Sequence, residues 1–318
     1  MTCRCCSNYI TRDHVYDETD DAADDAKVEA YEAHLTKKKD KKLRLMKLKA
    51  SESPYQKSKK SKTITVTYGE CAENHVGMQK IGFTAERGLP LEQLQCIQHY
   101  FDQLHYTTEL AMLSEALPLD VTITKEMRGA SILIVRDGVN GLLHKSSLTQ
   151  LYKEQSGLNQ DTKAKMYGRV VNKHARYNLC FDDTGQEPNY EVGMGRIIAF
   201  NDVPSTQELK INIEELLKIC GTSISLKAEG NYYFDAGSCG IGYHGDSERR
   251  IVVAIRLGDD MPLHYIWYHG GERISDKISF LLRHGDIYFM SEKAVGTDWK
   301  SPSKYTLRHA AGCEKFTA

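Results

Sequence analysis

The run Tyr243-His244-Gly245-Asp246-Ser247-Glu248 sets an imidazole and a carboxylate two residues apart, and His309 follows much later in the chain. On a strand, residues i and i+2 point the same way, so His244 and Asp246 are expected to face one ion together. A third ligand from a neighbouring strand would complete one face of a coordination sphere. Two histidines and one carboxylate with open positions opposite are the ligand set of non-haem iron(II) oxygenases. A bare His-x-Asp recurs by chance, so its weight depends on its surroundings.

The elements that must position these residues are legible as alternation and punctuation. Residues 63–68 alternate β-branched and polar side chains, as a half-buried strand does. Residues 89–117 carry Leu94, Ile97, Phe101 and Leu104 at helical spacing and stop at Pro118. A buried strand over 132–135 closes at Asp137-Gly138, and a helix over 147–154 leads to Gly157. Residues 165–183 read as polar, aromatic and irregular, and 196–200 as a strand. Val203-Pro204 opens a helix whose apolar face is Leu209, Ile213, Leu216 and Leu217, with Gly221 where a C-cap belongs. Short strands then follow over 230–234, 240–246, 250–257, 264–268, 277–282, 286–290 and 305–310. This order predicts an α+β chain with a jelly-roll (double-stranded β-helix) core of two sheets and helices packed outside.

Composition narrows the class. At 41% hydrophobic and 27% charged, 318 residues can build a sizeable core, which excludes wholesale disorder. The net charge of −1 conceals segregation: residues 17–25 are acidic and 37–62 strongly basic. Residues 1–62 are therefore expected to be a disordered charged tail, with a transient helix over 26–50. The lysines suit a solvated arm, a nuclear-import signal or a phosphate-binding arm. Residues 63–124 are expected as an N-terminal extension and 125–318 as the jelly-roll domain. No apolar run has the length of a membrane span, and no signal-peptide core is evident at the start. Nine cysteines without paired spacing predict reduced thiols, no disulfide-linked partner and an intracellular protein, nuclear or cytoplasmic. The cluster Cys3, Cys5 and Cys6 has no second cluster at zinc-finger spacing.

Several pieces occur in a recognisable order: Tyr167-Gly168, the Pro-led helix ending near Gly221, Asn231-x-Tyr233, His244-x-Asp246-x-Glu248, Leu257-Gly258 and His284-Gly285-Asp286. Over roughly residues 125–312 the sequence resembles the AlkB family of Fe(II)/2-oxoglutarate dioxygenases. The resemblance implies His244, Asp246 and His309 as ligands of Fe(II), with Asn231 and Tyr233 reaching 2-oxoglutarate. His284 and Asp298 are rivals for the third ligand, and His309 also suits a core histidine.

The family holds the far carboxylate of 2-oxoglutarate with an arginine on a strand beyond the last histidine. Nine residues follow His309, and Lys315 is their sole cation. Arg256, Lys304 and Arg308 are the alternatives, although Arg308 should point away from the metal if its neighbour His309 points in. For the substrate, Tyr167, Arg169, Lys173, Arg176 and Tyr177 form a basic, aromatic segment suited to a base and its phosphates, with Glu248 beside them. Nucleic acid carrying a modified base is the leading expectation. A protein side chain or small metabolite, and a non-catalytic binding module, are the alternatives.

Overall fold

The structure is a computed structural model, and residues 61–318 are described. The expected charged tail, its helix and the Cys3, Cys5 and Cys6 cluster lie outside the described residues. Eight strands form the larger sheet, in the order β4 (Thr108–Met112), β5 (Ser131–Val135), β16 (Ile287–Met290), β12 (Val252–Gly258), β1 (Thr63–Gly69), β10 (Lys227–Tyr233), β8 (Tyr177–Asp182) and β9 (Ile197–Ala199). The smaller sheet runs β11 (Gly240–His244), β17 (Thr306–Gly312), β13 (Met261–His269) and β14 (Glu272–Arg273), with β15 (Ile278–Leu282) also paired to β13. Two hairpins stand outside both sheets: β2 (Cys71–Glu73) with β3 (Lys80–Gly82), and β6 (Lys163–Met166) with β7 (Arg169–Asn172).

The two faces of the larger sheet have opposite character. On the outer face Ile64, Val66, Tyr68, Val253, Ile255 and Phe289 are buried against helices. Helix α1 (Leu91–Gln103) supplies Leu94, Ile97 and Phe101 to this layer. After the short α2 (Lys125–Arg128), α3 (Leu148–Gly157) and α4 (Pro204–Ile219) add Leu151, Leu209, Ile213 and Leu216. Each such side chain stabilises the fold by roughly 1.5–3 kcal/mol on burial. On the inner face, Thr65 lies opposite both Asn231 and Arg256, Thr63 opposite Tyr233, and Thr67 opposite Glu229. Paired residues share a face. Across β1, β10 and β12 the inner face is therefore largely polar, whereas on β16 and β5 it carries the buried Met290, Ile132 and Ile134.

The smaller sheet turns Leu263, Tyr265 and His309 toward that wall, because Leu263 pairs with Ala311 and Tyr265 with His309. The Tyr265 phenol is buried and lies within electrostatic reach of Tyr288 on the larger sheet. Two more short helices matter to the site: α5 (Glu292–Val295) and α6 (Glu314–Thr317).

Three sequence expectations are corrected. The helix expected over 89–117 ends at Gln103, where Leu104 caps it and His105 takes a left-handed φ of 61°. β4 then starts at β-branched Thr108, directly after Thr107. Within the expected extension over 63–124, β1 lies inside the larger sheet between β12 and β10. The stretch expected to be irregular holds the β6–β7 hairpin and β8. Its two-residue tip, Tyr167-Gly168, has φ of 51° and 77°, the left-handed pair that tight hairpin turns need. Finally, Cys96 of α1 and Cys220 at the C-cap of α4 form a disulfide, while Cys71, Cys180, Cys239 and Cys313 are free. Among the described residues, no helix is long and apolar enough to cross a membrane.

Candidate metal centre

Two devices in the backbone bring His244 and Asp246 together. Strand β11 ends at His244, and its register with β17 shifts between Ile241 and His244, the mark of a bulge that re-aims a side chain. His244 then sits directly opposite His309. Asp246 is not on the strand, contrary to the i, i+2 expectation. It follows Gly245 in a loop pressed onto the turn after α5, where the Asp246 amide donates to the Val295 carbonyl at 3.0 Å. A Cβ on Gly245 would meet the Gly296 carbonyl oxygen at 2.0 Å, so only glycine permits this approach.

The result is a compact ligand set. One atom from each of His244, Asp246 and His309 falls within 4.8 Å of the others. His244 Nε2 is 3.6 Å and His309 Nε2 3.7 Å from the same oxygen, Asp246 Oδ1. The imidazole rings lie with centroids 4.4 Å apart.

Protonation favours ligation. Burial lowers the His244 imidazole to about 4, and burial followed by the neighbouring His244 holds His309 well below its ordinary value. Both rings are therefore neutral near pH 7. His244 Nδ1 lies 2.8 Å from the Gly242 carbonyl, so its proton is held there and Nε2 keeps a free lone pair. Burial pushes the Asp246 carboxyl up to about 7, with Glu248 and Glu229 adding to the rise and Arg249 opposing it. Two neutral imidazoles and a carboxylate that resists ionisation without a cation suit a divalent metal ion.

The remaining predicted residues divide into those near this centre and those elsewhere. Asn231 and Tyr233 lie on the polar wall. Asn231 Oδ1 accepts from Arg176 Nε at 2.6 Å and from Asn178 Nδ2 at 2.8 Å, and its amide donates to Glu229. Arg176 acts electrostatically on both His244 and Asp246. Arg256 is 1% exposed. Its Nη1 donates to Thr65 Oγ1 at 2.8 Å, its Nε is buried without a partner, and no carboxylate among the described residues pairs with it. The buried Tyr288 phenol feels Arg256, Tyr233, Asp246 and Arg249, which places these groups around one polar interior.

Lys304 is exposed in the turn before β17 and does not join the centre. Arg308 turns to the opposite face, over the Tyr268 ring at 4.0 Å. The rivals for third ligand have other roles. His284 accepts from the Gly258 amide in an exposed turn, and Asp298 pairs with Lys293 at 2.7 Å. Asp286 is a buried anchor that accepts from Arg136 and from the Arg283 and Asp137 amides.

Of the substrate candidates, Tyr167 is 94% exposed at the hairpin tip and Arg169 is exposed beside it. Lys173 donates to Asn74 Oδ1 at 2.7 Å, and burial lowers its amine to about 8. Tyr177 is half-buried and has one ring face stacked on Phe234 at 4.5 Å. Glu248 is held by Arg249. Arg249, Glu229, Tyr265, Tyr288 and Thr65 were not singled out in the sequence. Only Arg249 had a signal, as a cation directly following two acids of the metal run.

The comparisons add kinship. The sequence is 47% identical over 254 residues to an uncharacterized protein of Acanthamoeba polyphaga mimivirus, covering 80% of this chain and 97% of the viral protein. The chain belongs to that viral protein's family. Nearly the whole of the mimivirus relative thus lies within the span that it shares with this chain. No family model matches the sequence.

Proposed function

We propose that the chain is an iron(II)-dependent oxygenase that uses 2-oxoglutarate and O₂ to hydroxylate or oxidatively demethylate a modified nucleobase in nucleic acid. The observation that carries this reading is the convergence of His244, Asp246 and His309 beside a polar inner wall that contains an unpaired, buried arginine. The two facing sheets suit a jelly-roll closure, and the ordered pieces resemble the AlkB family.

In this reading the three side chains hold the ion from one side. Bound iron(II) supplies activation of O₂ and oxidation of a substrate C–H bond, paid for by decarboxylation of the 2-oxo acid. The chain's own residues bind, orient and shield. Arg256 offers a planar fork for the far carboxylate of the cosubstrate, which a buried guanidinium without an acid partner requires. The Thr65 hydroxyl fixes that fork. Tyr265 and Leu263 line the opposite sheet and restrict water. Lys163, Lys165, Arg169, Lys173 and Arg176 fall between Asp161 and Asp182 with no acid among them, so this segment suits phosphates. Tyr167, at the tip of the same hairpin, offers a ring for a base.

The test is turnover of 2-oxoglutarate to succinate with iron(II), alone and with methylated oligonucleotides, beside His244→Ala. Oligonucleotide-stimulated turnover that vanishes in the variant supports the reading. Equal turnover in both proteins overturns the metal assignment, and stimulation by a peptide panel instead moves the substrate to protein.

A further inference from the structure

Asp246 has two carboxylate oxygens, and the structure treats them differently. Oδ1 is the atom near both imidazole Nε2 atoms. Oδ2 faces the guanidinium of Arg249, whose Nε lies 3.5 Å away. We infer that Arg249 is the positioning residue that keeps Asp246 a one-oxygen ligand and ties it to the inner wall of the larger sheet. This rests on the metal reading above.

The Arg249 side chain is only 5% exposed and stands among three carboxylates. Its Nη2 donates to Glu229 Oε2 at 2.5 Å and to Glu248 Oε1 at 2.7 Å, and its Nε donates to Glu248 Oε1 at 3.0 Å. Buried negative charge in excess of its partners is costly. A divalent ion on Asp246 leaves this group of ionised side chains neutral, so guanidinium and metal complete one charge set. The guanidinium also restricts geometry. A carboxylate that turned both oxygens to the metal would give up its contact with Arg249, and would take a second coordination position that the open side needs.

The tie continues beyond Arg249. Glu229 Oε1 accepts from Asn231, and Asn231 accepts from Arg176, which immediately precedes β8. Asp246, Arg249, Glu229, Asn231 and Arg176 therefore form one connected chain from the metal ligand to the start of β8. Lysine cannot replace the hub, because a single ammonium lacks the planar fork that reaches three carboxylates at once.

The probe is Co(II), titrated into the full chain and followed by its visible absorption, with Arg249→Gln, Arg249→Lys, Glu229→Gln and His244→Ala. Arg249→Gln and Arg249→Lys are expected to bind Co(II) about 10- to 100-fold more weakly, the usual effect of losing an outer partner of a metal ligand. Their spectra are also expected to change, because the carboxylate is freed to bind through both oxygens. A folded Arg249→Gln protein with wild-type affinity and spectrum overturns the inference. If that variant does not fold, Glu229→Gln is read in its place: a weaker shift in the same spectral direction supports the inference, and a wild-type spectrum overturns it. Equally weak binding by wild type and His244→Ala overturns the metal reading itself, a failure distinguishable from that of Arg249.

Discussion

Arg256 and Thr65 meet across neighbouring strands of the larger sheet, guanidinium Nη1 to hydroxyl at 2.8 Å, and no carboxylate among the described residues pairs with the guanidinium. Under the proposed function this guanidinium is the seat of the far carboxylate of 2-oxoglutarate. The wild-type protein is expected to bind 2-oxoglutarate more tightly than 2-oxobutyrate, which lacks the second carboxylate. Arg256→Gln should weaken 2-oxoglutarate by about 10- to 150-fold, the equivalent of 1.5–3 kcal/mol for a hydrogen bond to a charged group, and leave 2-oxobutyrate unchanged. Lys304→Ala should alter neither. Calorimetric titration of the metal-loaded protein reads all three.

Metal binding should depend on pH through Asp246. Its carboxyl, raised to about 7, carries a proton below that pH which the metal must displace. The histidines, one lowered to about 4 and the other well below its ordinary value, are already neutral. Affinity is therefore expected to fall about tenfold per unit as pH drops from 7 to 5, and to level above 7. Calorimetry in buffers of different ionisation enthalpy should find about one proton released at pH 6 and close to none at pH 8. Release of two or more at pH 6 would mean that the imidazoles titrate normally.

Gly245 has no room for a side chain. Gly245→Ala sets a methyl against the Gly296 carbonyl and must displace the loop that carries Asp246. The expected outcome is loss of Co(II) binding by at least about tenfold with a fall in Tm of roughly 5 °C, as a backbone clash costs about 2 kcal/mol. Gly270→Ala, which has open space around it but a left-handed φ, should leave Co(II) binding intact.

The Cys96–Cys220 disulfide joins two helices of the outer layer across 124 residues of chain. Reduction, or Cys96→Ala with Cys220→Ala, is expected to cost about 4 kcal/mol through the looser unfolded chain, near 10 °C in Tm. Peptide mapping without reductant identifies the bond, and melting with and without reductant measures its effect.

Tyr167 is expected to act on substrate alone. Tyr167→Ala should raise KM for a methylated oligonucleotide about tenfold, in line with the loss of one stacked base, and leave oligonucleotide-free succinate formation unchanged.

The metal run was legible because histidine and aspartate are rare enough in company to be noticed, and the strands after residue 226 because their alternation is clean. Geometry outside local periodicity was not. Nothing in the spacing of His244 and Asp246 shows that a bulge and a loop, rather than one strand, bring them together. The end of α1 at Gln103 depends on His105 entering a left-handed conformation, while Leu104 continues the helical pattern. The β6–β7 hairpin did leave a signal in Tyr167-Gly168, whose glycine suits a two-residue turn, but β6 holds two lysines and β7 reads Arg-Val-Val-Asn, so neither strand shows a clean apolar alternation. Arg256 could be named as one candidate beside Lys304 and Arg308, but its pairing with Thr65 was beyond reach, because that contact spans 191 residues and exists only once the sheet has formed.

The place of β1 inside the larger sheet also sets an order of events in the cell. The first described strand to leave the ribosome pairs with β10 and β12, which are made only after residue 226. At roughly 5–20 residues per second, β1 waits about ten to forty seconds with both edges unpaired. During that interval its β-branched alternation is a template for any passing strand. A nascent chain stalled before residue 227 should therefore be a client for chaperones.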